Sequence, residues 1–192
     1  GKKKTFLSMT EPRRVEILVL GHESEHHNSE KLMLYLGTPL FQKGINLTYT
    51  SDPNDLHEDV LYNYDGLMIY ANHDSISPSQ EAALKEYVQS GKAFIPLHSA
   101  SWCFRNSDWY VKTVGGQFKS HGAEKFTAKI VDAAHPIMQG IEEFETWDET
   151  YVHSQLNPDM HVLMQRDEEP YTWTLEEGKG RVFYTAYGHN EE

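Results

Sequence analysis

Eleven histidines stand in this chain of 192 residues, and several directly follow apolar runs. His98 comes straight after Phe94-Ile95-Pro96-Leu97. His22, His26 and His27 follow Val15–Leu20, Asn72-His73-Asp74 follow Gly66–Tyr70, and His189 follows Arg181–Ala186. Imidazole titrates near neutral pH, which suits general acid and base work. Neutral imidazole also ligates zinc and similar borderline ions, with a carboxylate or water completing the shell. The sequence holds no HExxH and no short paired metal motif, so proton transfer and metal binding both stay open. Plainer roles compete with both. His98 would then be satisfied by backbone bonds at a strand end, HESEHHN would be a solvated loop, and His57 and His135-Pro136 would be turn residues.

A second concentration is Trp147-Asp148-Glu149-Thr150-Tyr151. Carboxylates beside aromatic rings bind sugar hydroxyls while a ring stacks on the sugar face, and a carboxylate also serves as acid or base. Neighbouring strand residues point to opposite faces, so only one of Asp148 and Glu149 enters any one site. The plain alternative is a turn cap with Trp147 packing. WCFRNSDWY, from Trp102 to Tyr110, carries more aromatics than one surface loop normally exposes. The expectation is that they line a pocket, or pack on a second subunit or a fused domain.

The elements that must position these groups follow from periodicity. Val15–Leu20, Ile45–Thr50, Gly66–Tyr70 and Phe94–Leu97 read as strands. Leu32, Met33, Leu36 and Leu40 recur at helical spacing up to Gly44, with Pro39 expected to break or kink that helix. Leu56–Tyr64 and Asp108–Val114 read as short helices. Ser77-Pro78-Ser79-Gln80 gives a capping box with proline at the first helical position, Ala83, Leu84, Tyr87 and Val88 facing inward, and a stop at Gly91. Strand and helix in alternation predict a doubly wound α/β sheet, mostly parallel. The second half changes character: Phe126–Val131, His161–Gln165, Tyr171–Leu175 and Arg181–Ala186 read as strands between turns. These are expected to extend the sheet or add antiparallel strands. Residues 1–14 read as an extended lead-in and 15–192 as one domain, a length that fits a single core. In an open sheet of this kind ligands bind outside the carboxyl ends of the strands, where His98 falls.

Composition narrows the partners. Seventeen Lys and Arg against 29 Asp and Glu leave a net charge of −12, which repels phosphate backbones and disfavours nucleic acid. No apolar run is long enough to span a membrane. The lone Cys103 excludes an internal disulfide. A start at Gly1 followed by Lys2-Lys3-Lys4 reads as a piece of something longer. Localisation stays open between a bacterial-type cytoplasm and periplasm.

Six stretches occur in a telling order: GHESEHHNSE, YDGLMIYANH, ISPSQEAALKEYVQSGKAFIPLHSA, VGGQFKSHG, HPIMQGIEEFETWDETY and GKGRVFYTAYGH. Together they resemble the ThuA-like family, the trehalose-utilisation group related to class I glutamine amidotransferases. The resemblance covers nearly the whole chain. It implies a flavodoxin-like fold whose amidotransferase nucleophile elbow carries His98 in place of cysteine, so glutaminase chemistry is not expected, and Cys103 lies too far along to replace it. The family's polar positions fall on His22, His98, His121, Asp148, Glu149 and His189. The family is tied to sugar metabolism, and some members are associated with a metal such as zinc. The loop with His26 and His27 resembles versions joined to larger modules. Members usually continue past the final Gly-His with a further helix, so the pocket's far wall is expected to be incomplete.

Two functions follow as expectations. The first is an enzyme acting on a sugar or keto-sugar glycoside. It would use His98, His121, Glu149 and Asp148 for acid–base work, with zinc or another divalent metal on His22, His98, His121 and His189. The second is a non-catalytic carbohydrate-binding or accessory module. Substrate contacts are expected from His22, His27, Asn72, Trp102, Trp147 and Tyr151, and the partner is a small-molecule sugar.

Overall fold

A computed structural model describes residues 13–24 and 27–189. All but the last two residues of the expected lead-in, and His26, fall outside them. The first half alternates as the periodicity predicts. Strand β1 (Val15–Gly21) is followed by the short antiparallel pair β2 (Glu23–Ser24) and β3 (His27–Asn28) and then by α1 (Ser29–Gln42). Then come β4 (Ile45–Thr50), α2 (Glu58–Leu61), β5 (Gly66–Tyr70), α3 (Pro78–Gln89), β6 (Ala93–Pro96) and α4 (Asp108–Val114). The second half holds β7 (Gln117–Ser120), β8 (Ala123–Thr127), β9 (Lys129–Ile130), β10 (Glu145–Glu149), β11 (Val152–Ser154), β12 (His161–Arg166), β13 (Glu169–Glu177) and β14 (Gly180–Thr185).

One eight-stranded sheet runs in the order β4-β1-β5-β6-β14-β13-β12-β9. The strands from β4 to β14 in that order are parallel, and β13, β12 and β9 continue the sheet antiparallel. This is a mixed α/β fold with a mostly parallel centre. Two ribbons, β8 with β10 and β7 with β11, stand beside it.

β1 and β5, inside the parallel part of the sheet, are buried on both faces over most of their length, which is why they read as apolar runs. Leu18, Leu20, Leu67, Ile69 and Phe94 face one layer with Leu84, Tyr87 and Val88 of α3 and Tyr110 and Val114 of α4. Ile17, Val19, Met68 and Tyr70 face the other, against Met33 of α1. The capping box forms as expected: the Ser77 amide donates to the Gln80 side chain at 2.9 Å, and the Gln80 amide donates to Ser77 Oγ at 3.2 Å.

Several expectations are corrected. α1 does not break at Pro39 but continues through this solvent-exposed residue to Gln42. The helix expected over Leu56–Tyr64 shrinks to α2, capped by the His57 ring, which accepts from the Asp59 amide at 3.0 Å. Phe126–Val131 is two strands in different sheets, with Ala128 buried where the chain crosses between them. Strands β7, β10 and β11 carry too many polar residues to announce themselves. In WCFRNSDWY, Phe104 and Tyr110 are buried in the chain's own core, while Trp102 lines a cavity, as expected. Trp109 is half-buried and donates to Glu177 at 3.1 Å.

Gly180 starts the strand that ends at the site described below, and it lies against backbone. A Cβ there would meet Val88 O at 2.1 Å and Lys92 O at 2.9 Å, whereas one at Gly37 within α1 would meet nothing within 4 Å. Gly180→Ala is expected to destabilise by at least about 1–3 kcal/mol, and Gly37→Ala to stabilise by about 0.5–1 kcal/mol, in urea unfolding.

Candidate active site

Strands β6 and β14 are neighbours in the sheet, so the loops leaving their carboxyl ends are neighbours too. The first begins with His98 and the second, running from Ala186, delivers His189. The ribbons bring the remaining groups: Glu149 ends β10, and His121 follows β7. The result is one carboxylate ringed by three imidazoles. Glu149 Oε1 lies 3.2 Å from His98 Nε2 and 2.5 Å from His189 Nδ1, and Oε2 lies 2.7 Å from His121 Nδ1. Glu149 is 7% exposed and His98 wholly buried, while His121 and His189 reach solvent. A cavity of about 350 Å³ opens over Glu149, His121 and His189, lined also by Asn72, Ser99, Trp102, Phe118 and Tyr151. His98 is buried behind Glu149 and does not line it. Three aromatic walls and a few convergent polar groups are the usual make-up of a small-molecule pocket.

His98 is held in an unusual state. Its φ is +48°, a left-handed conformation that costs a non-glycine residue about 1–2 kcal/mol. Such strain persists where surrounding contacts fix it, and it clusters at functional sites. Here the imidazole Nδ1 lies 2.6 Å from Ala186 O. A carbonyl only accepts, so Nδ1 carries the proton and Nε2 faces Glu149 and the Tyr151 hydroxyl, the latter at 3.1 Å. The Tyr151 ring stacks on the imidazole at 4.3 Å. The His98 carbonyl accepts from Tyr184 Oη at 2.9 Å and from Ser101 Oγ at 3.3 Å.

Asp148 and Glu149 divide their work by strand alternation. Glu149 meets the imidazoles, while Asp148 accepts from the Gly188 and His189 amides at 3.0 and 3.3 Å. The Tyr70 hydroxyl donates to Gly188 O from the other side. Gly188 has φ +126°, and this clamp fixes the turn that carries His189.

Burial alone would push the Glu149 carboxyl up. The His98 hydrogen bond and the charges of His189, His98 and His121 outweigh it and leave the group below its usual range. Burial, aided by Tyr184 and Glu149, holds the Tyr151 phenol far above its ordinary value, so it stays protonated. Burial, then Asp148 and Glu149, pushes Tyr70 up to about 12. Cys103 is wholly buried in the core and burial raises its thiol, so it is no nucleophile for this cavity.

The structure therefore brings together His98, His121, His189 and Glu149, with Asn72, Trp102 and Tyr151 in the cavity wall. Trp147 stands at the rim, its ring 6.0 Å from that of His189. His22 stands apart. It leaves β1, and β5 lies between β1 and β6, so two strand spacings, about 10 Å, separate the loops. Its ring stacks on His73 at 4.7 Å instead. The side chain of His27 is outside the described set. Sequence reasoning missed Ser99 and Phe118 in the wall and Ser101, His153 and Tyr184 behind His98. Only Ser99 and Ser101, in the run of small, polar residues straight after Phe94–Leu97, gave any signal.

The sequence model of the ThuA family, described as trehalose utilisation, matches residues 16–192. The chain belongs to the ThuA family. Its fold is that of ThuA-like proteins from Bacteroides uniformis ATCC 8492 (17% identity, TM-score 0.76, covering 98% of this chain and 86% of that one) and Parabacteroides merdae ATCC 43184 (18%, 0.75, 93% and 81%). A β-galactosidase from Bacillus circulans sp. alkalophilus shares the fold over 90% of this ThuA chain and 28% of its own (12%, 0.61). No curated protein matches. Among the described residues no helix is long and apolar enough to cross a membrane.

Burial, followed by the charge of His98, pushes His153 down to about 3 from an ordinary 6.5. Between those values the unfolded chain holds a proton that the folded ThuA chain does not, so this residue's contribution to stability falls as pH falls. The slope is at most about 1.4 kcal/mol per pH unit. Relative to wild type, His153→Gln should gain stability steadily as pH drops from 6.5 toward 4.5 in chemical denaturation. A difference that stays constant with pH would contradict this.

Proposed function

We propose that the cavity over Glu149 is the active site of a carbohydrate-processing enzyme acting on a sugar or keto-sugar glycoside. The observation that carries this reading is the buried carboxylate ringed by three imidazoles beneath aromatic walls. The carbohydrate class is supported by the family's description, trehalose utilisation. His98, Glu149 and His189 also fit a divalent metal, zinc by the nature of the donors. Their ligand atoms lie within 4.8 Å of one another. The Nδ1–H of His98 is anchored on a backbone carbonyl, the support that metal-bound histidines normally have. When bound, such an ion polarises a carbonyl and makes water more acidic.

The chain's own residues have separable parts. Trp102, Phe118 and Tyr151 exclude water and offer faces to a sugar ring. Asn72 Oδ1 is buried without a hydrogen-bond partner and accepts from a sugar hydroxyl. Glu149 takes a proton, while His121 and His189, the imidazoles that reach solvent, exchange it with water. Asp148 acts on the backbone of the His189 turn.

The test combines metal analysis of the purified protein with a screen against keto-disaccharides and their parent sugars. About one zinc per chain is expected, together with turnover that falls by about 10²–10⁴-fold in His98→Ala and Glu149→Gln while circular dichroism stays unchanged. Turnover that survives both substitutions would overturn the catalytic reading. Sugar binding without turnover, lost on Trp102→Ala, would leave a carbohydrate-binding module, the reading that the aromatic walls favour second.

A further inference from the structure

His153 lies behind the candidate site and takes no part in it. It is 6% exposed, on β11, and its ring packs edge-on against Trp173 and Tyr184. Its Nε2 is 2.9 Å from Ser101 Oγ and 3.0 Å from Tyr184 Oη, while Nδ1 is buried with no partner. A buried N–H without an acceptor is rarer and more costly than a buried lone pair without a donor. The proton of the neutral ring therefore sits on Nε2 and is offered to the two hydroxyl oxygens. Tyr184 Oη also lies 3.2 Å from Ser101 Oγ, a competing acceptor for its hydrogen. With Nε2–H donating to both oxygens, each hydroxyl can still turn its own hydrogen to the carbonyl of His98, at the shorter 2.9 Å from Tyr184 and at 3.3 Å from Ser101.

We infer that His153 is a positioning residue: its Nε2–H orients the Ser101 and Tyr184 hydroxyls onto the His98 carbonyl and so holds His98 in its left-handed backbone, with Nε2 aimed at Glu149. The inference rests on the proposed function only in that His98 is a working residue of the site. Its chemical content is a single N–H donor acting through two hydroxyls on a strained peptide. A side chain that keeps shape but loses the donor must fail, and one that keeps the donor must succeed.

The experiment compares wild type, His153→Phe, His153→Gln and Tyr184→Phe in the whole chain. Two readouts are taken: Zn²⁺ affinity by calorimetry, and the backbone ¹⁵N and ¹³C resonances of His98, which report its φ. In His153→Phe the affinity should fall about tenfold or more and the His98 resonances should leave the positive-φ pattern, and His153→Gln should restore both. A folded His153→Phe with wild-type His98 resonances would overturn the inference, as would a His153→Gln no better than His153→Phe. If His153→Phe does not fold, Tyr184→Phe, which removes the nearer donor to the His98 carbonyl, must shift the same resonances, and unchanged resonances there also overturn it. If wild type binds no Zn²⁺, the metal in the proposed function fails, while the His98 resonances still decide the role of His153.

Discussion

A carboxylate taken out of water has to be answered by donors, and Glu149 is answered by imidazoles that arrive from separate parts of the chain. Desolvation would raise its pKa and neutralise it. The surrounding histidines reverse that and keep the charge. The requirement reaches back through the fold. His98 must leave β6, His189 must leave β14, and those strands must be neighbours. The ribbon β8–β10 must present Glu149 inward while Asp148, on the opposite face, ties down the turn that carries His189.

That arrangement concentrates cost at His98, which has a positive φ and a wholly buried ring. Both are sustained locally. Ala186 O receives the ring proton, Tyr151 covers the ring face, and the Tyr184 and Ser101 hydroxyls saturate the carbonyl. The rim is built otherwise. His121 and His189 are exposed, and the aromatic walls come from a short turn and two ribbons rather than from the parallel strands. A rigid floor under a more accessible rim suits a site that fixes one end of a ligand and trades protons with solvent at the other.

Much of this was legible in the sequence where the signal is local. Apolar runs marked β1, β5 and β6, apolar–polar alternation marked β4, and the Ser77 box marked the start of α3. A histidine placed straight after Leu97 marked the sheet edge where the candidate site lies. What failed was whatever depends on strand order or pairing. His22 and His98 look equivalent in the sequence, each following an apolar run, yet β5 intervenes. Asp148 and Glu149 look interchangeable until the pairing of β10 with β8 gives each a face. Glu145-Thr146-Trp147-Asp148-Glu149 is too polar to read as a strand because the ribbon buries only its end. Tyr184 and His153 read as ordinary strand residues, since their hydroxyl and imidazole gain meaning only from the carbonyl of His98, far away in the chain. Pro39 did not end α1, although it removes a backbone donor, because neighbouring turns on both sides keep their helical bonds.

The central claim is convergence: His98, Glu149 and His189 share one point at the carboxyl edge of the sheet. It is tested most directly by anomalous diffraction from crystals of the whole chain grown with zinc. A single strong peak within bonding distance of His98 Nε2, the Glu149 carboxylate and His189 Nδ1, with His98 still at positive φ, is the predicted result. Zinc elsewhere with the Glu149 site empty, or His98 and His189 pointing to separate places, would contradict the account.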